Sequence, residues 1–272
     1  MEITPVGFMG AGQMARALAA GIFRAGVVSA DAIFAYDPAE TATEAFAKAI
    51  PGSRILPSPE RLAAECRSIV LAVKPQHAQP ACRSLAPYLA DQLIISVMAG
   101  IRLSQMAEWL GTRRLVRVMP NTPCLVSKGA SAFATDVQVD DGEIQWVERL
   151  LRSVGYTVSL PEPLLDAVTG LSGSGPAFVA VFLEALADGG VRAGLPRTVA
   201  WQLAVHTVRG TAELLLQSGQ HPATLKDQVA SPAGTTIAGL AVIERSAVRG
   251  AILDAVMAAA ERAAQLGRES SA

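Results

Sequence analysis

Two clusters of small residues can do chemistry here without any charged group. The first is Gly10-Ala11-Gly12-Gln13-Met14-Ala15, which follows the apolar run Val6-Gly7-Phe8-Met9. Its spacing is GxGxx(G/A) between an expected strand and an expected helix. There Gly10 permits a tight turn, Gly12 lets backbone approach a pyrophosphate, and the small Ala15 lets helix and strand pack closely. The phosphates of a dinucleotide would rest on free N–H groups at the positive end of the helix dipole. The second cluster is Ser231-Pro232-Ala233-Gly234-Thr235-Thr236, ahead of a helix expected over Thr236 to Arg245. It offers hydroxyls and unpaired N–H groups at a helix start, a fit for a small carboxylate. Ordinary N-capping explains such a segment when it stands alone; a dinucleotide motif in the same chain favours the anion site.

Other loops belong to the first cluster by position. Runs at Ile3 to Phe8, Ala32 to Tyr36, Ser68 to Val73, Leu93 to Val97, Leu115 to Met119, Ala130 to Ala134 and Tyr156 to Leu160 read as strands, and segments of helix length separate most of them. That alternation implies βαβ units and a parallel sheet covered on both faces, with ligands at the C-terminal edge of the strands. Ala72, Val73, Lys74 and Pro75 follow one strand there, Met98 follows the next, and Asn121 stands between Pro120 and Pro123 after another. Asp37 ends the second strand, with no Arg in the following ten residues. An acid at that place either hydrogen-bonds a ribose 2′-OH or caps a helix beginning near Pro38.

Beyond Leu160-Pro161-Glu162-Pro163 the pattern is helical, with a start expected at Gly170-Leu171-Ser172-Gly173-Ser174-Gly175-Pro176 and breaks at Gly194 to Pro196 and Gly219 to Pro222. The expectation is an α/β N-terminal Rossmann-type dinucleotide-binding domain over residues 1–160, followed by an all-α C-terminal dimerisation and substrate domain over 161–272. The helix from Pro176 is apolar nearly all round, through Phe178, Val179, Val181, Phe182 and Leu183, and should be buried on every face. So short a helical half has little interior of its own, which points to subunit pairing.

Composition narrows the function. The 272 residues carry 23 Lys and Arg against 24 Asp and Glu, so no field of one sign invites nucleic acid. The longest uncharged stretch, Ala167 to Leu183, holds three Gly, three Ser or Thr and a Pro, which argues against a membrane span. No signal-like segment opens the chain, and a cytoplasmic location is expected. Cys66, Cys82 and Cys124 suit neither a disulfide framework nor a metal knuckle, so no metal is expected. His77, His206 and His221 are scattered outside the motif loops.

Taken in order, the segments Val6 to Ala15, Ala72 to Pro75, Arg117 to Pro123, Leu171 to Ala177 and Val229 to Ile237 resemble the successive motifs of pyrroline-5-carboxylate reductases. The resemblance spans nearly the whole chain. It implies reduction of Δ1-pyrroline-5-carboxylate, a small imino acid, to L-proline by NADPH or NADH. It also implies a homodimer with interlocked C-terminal helices, often assembled into larger rings, whose active site draws on both subunits. By the same resemblance Gly7, Gly10, Gly12, Gln13 and Met14 fall in the cofactor loops with Ala72 to Pro75. Ser231, Gly234, Thr235 and Thr236 would hold the substrate carboxylate, and the hydroxyl of Thr236 would reach the ring nitrogen as the catalytic group. Two positions depart from the family pattern. Asp37-Pro38 stands where Ser or Asn followed by Arg is common, which leaves the choice between NADPH and NADH open. Ala233 stands where Gly is usual. A β-hydroxyacid dehydrogenase, the nearest rival, would need Lys at position 179, which is Val. A non-catalytic dinucleotide sensor would have no need of the second cluster.

Overall fold

The computed structural model describes residues 4–269, so the Ile3 end of the expected first strand lies outside the described residues. Eight strands form one sheet: β1 Val6–Met9, β2 Ile33–Tyr36, β3 Arg54–Ile55, β4 Ser68–Leu71, β5 Leu93–Ser96, β6 Leu115–Met119, β7 Gly129–Thr135 and β8 Gly155–Ser159. Their order is β3-β2-β1-β4-β5-β6-β7-β8. All neighbours are parallel except β6 and β7, where Val118 faces Phe133 in an antiparallel pair. A wholly parallel sheet is therefore corrected: only the 3₁₀ turn Thr122–Val126 joins those two strands, too short for a crossover connection. The two-residue edge strand β3 carries no apolar run that would have announced it.

The helices are α1 Gln13–Arg24, α2 Glu40–Ala49, α3 Pro59–Glu65, α4 Ala78–Leu85, α5 Leu103–Leu110, α6 Asp141–Arg152, α7 Leu165–Val168, α8 Gly175–Arg192, α9 Arg197–Ser218, α10 Pro222–Val229, α11 Thr235–Arg245 and α12 Val248–Glu269. Strand residues alternate between two cores. Phe8, Val70, Ile95 and Val118 pack with Leu18, Phe46 and Trp146, while Ile69, Leu71, Ile94 and Leu115 pack with Leu62, Leu85 and Met106. Burial on both faces is why these strands read as continuous apolar runs. The three cysteines are buried and free. Burial pushes the thiols of Cys66 and Cys82 up to about 12, so they are small hydrophobes and not nucleophiles.

The chain divides into two compact units, Met1–Ser174 with Ala258–Ala272, and Gly175–Met257. The sheet does end at Ser159, next to the expected boundary, but the first unit continues further for a physical reason. Arg117, buried on β6, donates to Glu162 Oε1 at 3.2 Å and Asp166 Oδ1 at 3.4 Å, and Glu162 Oε1 also accepts from the Leu103 N–H at 2.8 Å. Asn121 then holds the next turn. Helix α8 does start in this segment, at Gly175, but Thr169–Gly173 ahead of it is a π-helical turn, closed by the Ser174 N–H to the Thr169 carbonyl at 2.8 Å, which was not expected. The Gly/Ser/Pro composition of the start also admits this wide turn.

In the second unit α8, α9, α10 and α11 expose most of their apolar residues. Among the described residues of the unit, the buried hydrophobes are Ala187, Ala200 and Ala204, while Val181 and Leu203 are more than half exposed. Burial of α8 on every face is thus not met within one chain. The continuous helical segment Glu162–Arg192, 31 residues, is by length and composition apolar enough to cross a membrane. Length and composition alone do not overturn the expectation made from Ala167 to Leu183, and the π-helical turn is what lets the helix run through its glycines. The Arg197 guanidinium pairs with Asp188 within the chain. Helix α10 was missed, its polar Pro222-Ala-Thr-Leu-Lys-Asp-Gln stretch lacking an apolar face; the His221 ring starts it by accepting from the Ala223 N–H at 3.2 Å.

Replacing Arg117 by Met leaves Glu162 and Asp166 without their cation. Urea unfolding should show a loss of about 2 to 4 kcal/mol; an unchanged midpoint would remove the triad from the account of how α7 is held.

Candidate active site

The sheet order reverses at β1 and β4, and a cleft of about 710 Å³ opens at the C-terminal ends of β1, β2 and β4. Open α/β sheets bind ligands at this switch point. Gly10 adopts φ +97° and donates its N–H to the Tyr36 carbonyl at 2.8 Å. A Cβ there would lie 2.8 Å from the carbonyl carbon and oxygen of Ala72, so glycine is required both for conformation and for space. Gly12 differs. Its φ of −68° suits any residue, yet a Cβ would meet no protein atom within 4 Å. The space it keeps open is part of the cleft, a cradle where backbone could approach a pyrophosphate. Behind it α1 begins with no acid in its first turn and, among the described residues, no side-chain cap. Its first N–H groups and its dipole therefore face the cleft.

Asp37 does not cap a helix, since α2 has Ala39 as its N-cap with no side-chain bond; it accepts two backbone N–H groups instead. Its Oδ1 accepts from the Ala39 N–H at 2.9 Å, ahead of α2, which starts at Glu40 and not at Pro38. Its Oδ2 accepts from the Ala11 N–H at 2.8 Å, tying the end of β2 to the glycine turn. Ala72, Val73 and Lys74 form the opposite wall with His77, Pro80, Ala81 and Ser84. His77, set aside in the sequence as scattered, is thus a cleft residue; it lies in the 3₁₀ turn Pro75–His77, and only the fold brings it there. Gln13 and Met14 make the first turn of α1, Gln13 exposed and Met14 packed on the core.

Three residues expected in the cofactor set do other work. Gly7 lies in β1, where a Cβ would come 2.7 Å from Cys66 Sγ and 2.8 Å from Leu62 Cδ1, so it exists to let α3 approach the sheet. Met98 is a core residue. Asn121 uses its amide internally: Nδ2 donates to the Ser172 carbonyl at 3.1 Å and Oδ1 accepts from the Ala130 N–H at 2.9 Å. It positions the π-helical turn.

In the second unit, Ser231 to Gly234 form a turn closed by the Gly234 N–H on the Ser231 carbonyl at 3.1 Å. A side chain on Gly234 would collide with Ser231 Oγ. Ala233 holds φ +56°, a left-handed conformation that a glycine would take freely. Gly234 is the N-cap of α11, with no acid in the first turn and, among the described residues, no side chain on its N–H groups. Thr235 and Thr236 are the first two helical residues, and Thr236 lines a cavity of about 590 Å³ with His206, Thr207 and Lys226. The turn thus offers hydroxyls and N–H groups to an anion. Among the described residues no group of three or more His, Cys, Asp or Glu is placed to hold a metal.

Two family models match the chain: pyrroline-5-carboxylate reductase dimerisation over residues 162–266, and coenzyme F420-dependent NADP oxidoreductase over 5–100. A pyrroline-5-carboxylate reductase of Pisum sativum is 41% identical, the match covering 98% of this chain and 100% of the relative. Among solved structures, a pyrroline carboxylate reductase from Plasmodium falciparum with NADP bound matches at a TM-score of 0.89 and 35% identity, over 98% of this chain and 99% of that one. A pyrroline-5-carboxylate reductase from Coxiella burnetii matches at 0.90 and 30%, over 97% and 99%.

The two glycines of the turn should separate binding from stability. Gly12→Ser retains a good cap residue but fills the cradle, so dinucleotide affinity should fall by about 10-fold or more while Tm stays within about 2 °C. Gly10→Ala should lower Tm by about 4 °C or more as well. Calorimetric titration beside thermal melts checks both, and a Gly12→Ser protein that binds normally would empty the cradle of meaning.

Proposed function

The chain belongs to the pyrroline-5-carboxylate reductase family, and on that premise we propose how its residues divide the reduction of Δ1-pyrroline-5-carboxylate to L-proline, the last step of proline biosynthesis. It is an oxidoreductase acting on a carbon–nitrogen bond, with NADPH or NADH as the reductant. When bound, the dinucleotide supplies a hydride from C4 of its nicotinamide.

The residues have little acid–base chemistry to perform. A cyclic imine accepts hydride readily once its nitrogen is protonated, so orientation, a fixed carboxylate and one hydrogen-bonding partner for nitrogen suffice. Gly10 and Gly12, with the backbone of Gln13 and Met14, seat the pyrophosphate, and Ala72, Val73, Lys74 and Pro75 flank the adjoining ribose. The N–H groups from Gly234 to Thr236 take the substrate carboxylate, with Ser231 shaping the turn. The Thr236 hydroxyl bonds the ring nitrogen, holding the imine in one orientation as C5 receives hydride and the nitrogen becomes an amine. What carries this assignment is the start of α11: a turn that excludes a side chain at Gly234, an uncapped helix end, and a threonine hydroxyl within one helical turn of it.

The exposed apolar faces of α8 and α9 support pairing with a second chain, in keeping with a family model described as dimerisation that spans them. Helices this exposed cost free energy in water and regain it when covered. A homodimer is the smallest assembly that would do so. It would also cover the membrane-length segment Glu162–Arg192, leaving a cytoplasmic enzyme.

Thr236→Ala should lower kcat/KM with pyrroline-5-carboxylate by about 10-fold or more, and Thr236→Ser should restore most of the loss. Steady-state kinetics that leave the Ala variant unchanged would take the hydroxyl out of the mechanism. Sedimentation at micromolar concentration should show at least a dimer; a stable monomer would contradict the pairing of α8 and α9.

A further inference from the structure

We propose that Asp37 makes this reductase selective for NADH over NADPH. The inference rests on the dinucleotide occupying the cleft at the glycine turn, as proposed above, and deepens it by naming which dinucleotide is taken.

Asp37 directly follows β2 and lines that cleft with Gly10 and Gly12. In a dinucleotide seated on such a turn, the adenosine ribose lies against the end of the second strand. A carboxylate there accepts a hydrogen bond from a ribose 2′-OH, whereas a 2′-phosphate, mostly dianionic at neutral pH, has no hydrogen to donate and adds like charge at contact distance. Many side chains could swing away from such a clash. Asp37 cannot do so without loss, because each oxygen already accepts a backbone N–H: Ala11 at 2.8 Å on one side and Ala39 at 2.9 Å on the other. Turning it out would strand both donors, including one in the glycine turn itself. A carboxylate has about four acceptor positions, so these bonds leave room for the ribose hydroxyls.

Pro38, Ala39 and Ala42, which line the cleft next to Asp37, add no cation, and Arg16, whose guanidinium donates to the Ala11 carbonyl at 3.3 Å, is not among the residues that line the cleft. The ten residues after Asp37 contain Glu40 and Glu44 and neither Lys nor Arg. Lys74 follows β4, two strands away from β2 with β1 between them, which places its backbone about 10 Å across the cleft. His77 lies on that same far wall. The structure thus holds a fixed negative charge where a phosphorylated ribose needs a positive one.

The test is binding of NADH and NADPH by fluorescence titration to the full-length protein and to Asp37→Ser and Asp37→Asn, with no turnover needed. The wild type should bind NADH at least about 10-fold more tightly than NADPH, and both substitutions should shrink that ratio by about 10-fold or more. Competition by AMP and by adenosine 2′,5′-bisphosphate needs no variant and should show the same preference for AMP. Equal or tighter binding of NADPH by the wild type, or a ratio that both substitutions leave intact, overturns the proposal while leaving the reductase assignment standing. If the wild type binds neither dinucleotide, the cleft assignment and this inference fall together.

Discussion

The closeness of two strand ends governs this molecule. Gly10 must pass against the Ala72 carbonyl with no room for a methyl group, and from that contact the rest follows. The chain leaves β1 in a left-handed turn, enters α1 without a cap, and points free N–H groups across the place where the strand order reverses. Any residue larger than hydrogen at position 10 would push β4 and the Ala72 to Lys74 wall away, and with them one side of the cleft. Asp37 secures the other side by bonding Ala11. The binding region is therefore built from backbone, fixed by two strand ends and one carboxylate, and owes little to reactive side chains.

Much of this was legible because the demands are local. A glycine that needs positive φ, a glycine that needs empty space and a small residue at a helix–strand crossing announce themselves in any sequence that contains them at the right spacing. The turn before α11 was legible for the same reason, although its neighbour Ala233 hides the left-handed conformation it adopts. What composition could not convey was direction and continuity. An apolar run at Ala130 to Ala134 is the same whether its strand runs parallel or antiparallel, and only the short link through Thr122–Val126 decides it. The Gly-Ser-Pro cluster at 170–176 starts α8 as its residues suggest but also forms a wide turn just ahead of it, where Arg117 on β6 and Asn121 beyond that strand bond the flanking segment. Those partners are 45 to 51 residues distant in sequence.

The same distinction sorts the individual residues. Gly7, Met98 and Asn121 sit in or beside the right motifs and are spent on packing or on internal hydrogen bonds. His77 sits in none and lines the cleft. Proximity in sequence to a motif is a statement about backbone, whereas lining a cavity depends on where a side chain points once 3₁₀ turns and helix phases are set. Asp37 was open to two roles, and in place of the helix cap the fold gives it a turn bond to the Ala39 N–H together with an unforeseen bond to the glycine turn.

The bareness of the second unit bears on how the protein is made. As the chain leaves the ribosome, its first 174 residues bring most of both sheet cores with them and can close early. The helices that follow emerge with nothing of their own to bury except a few alanines. If a second copy covers them, as proposed, newly synthesised protein should be most at risk of aggregation when it is scarce, and its resistance to heat should rise with its concentration. Abundance, for such a molecule, is part of the fold.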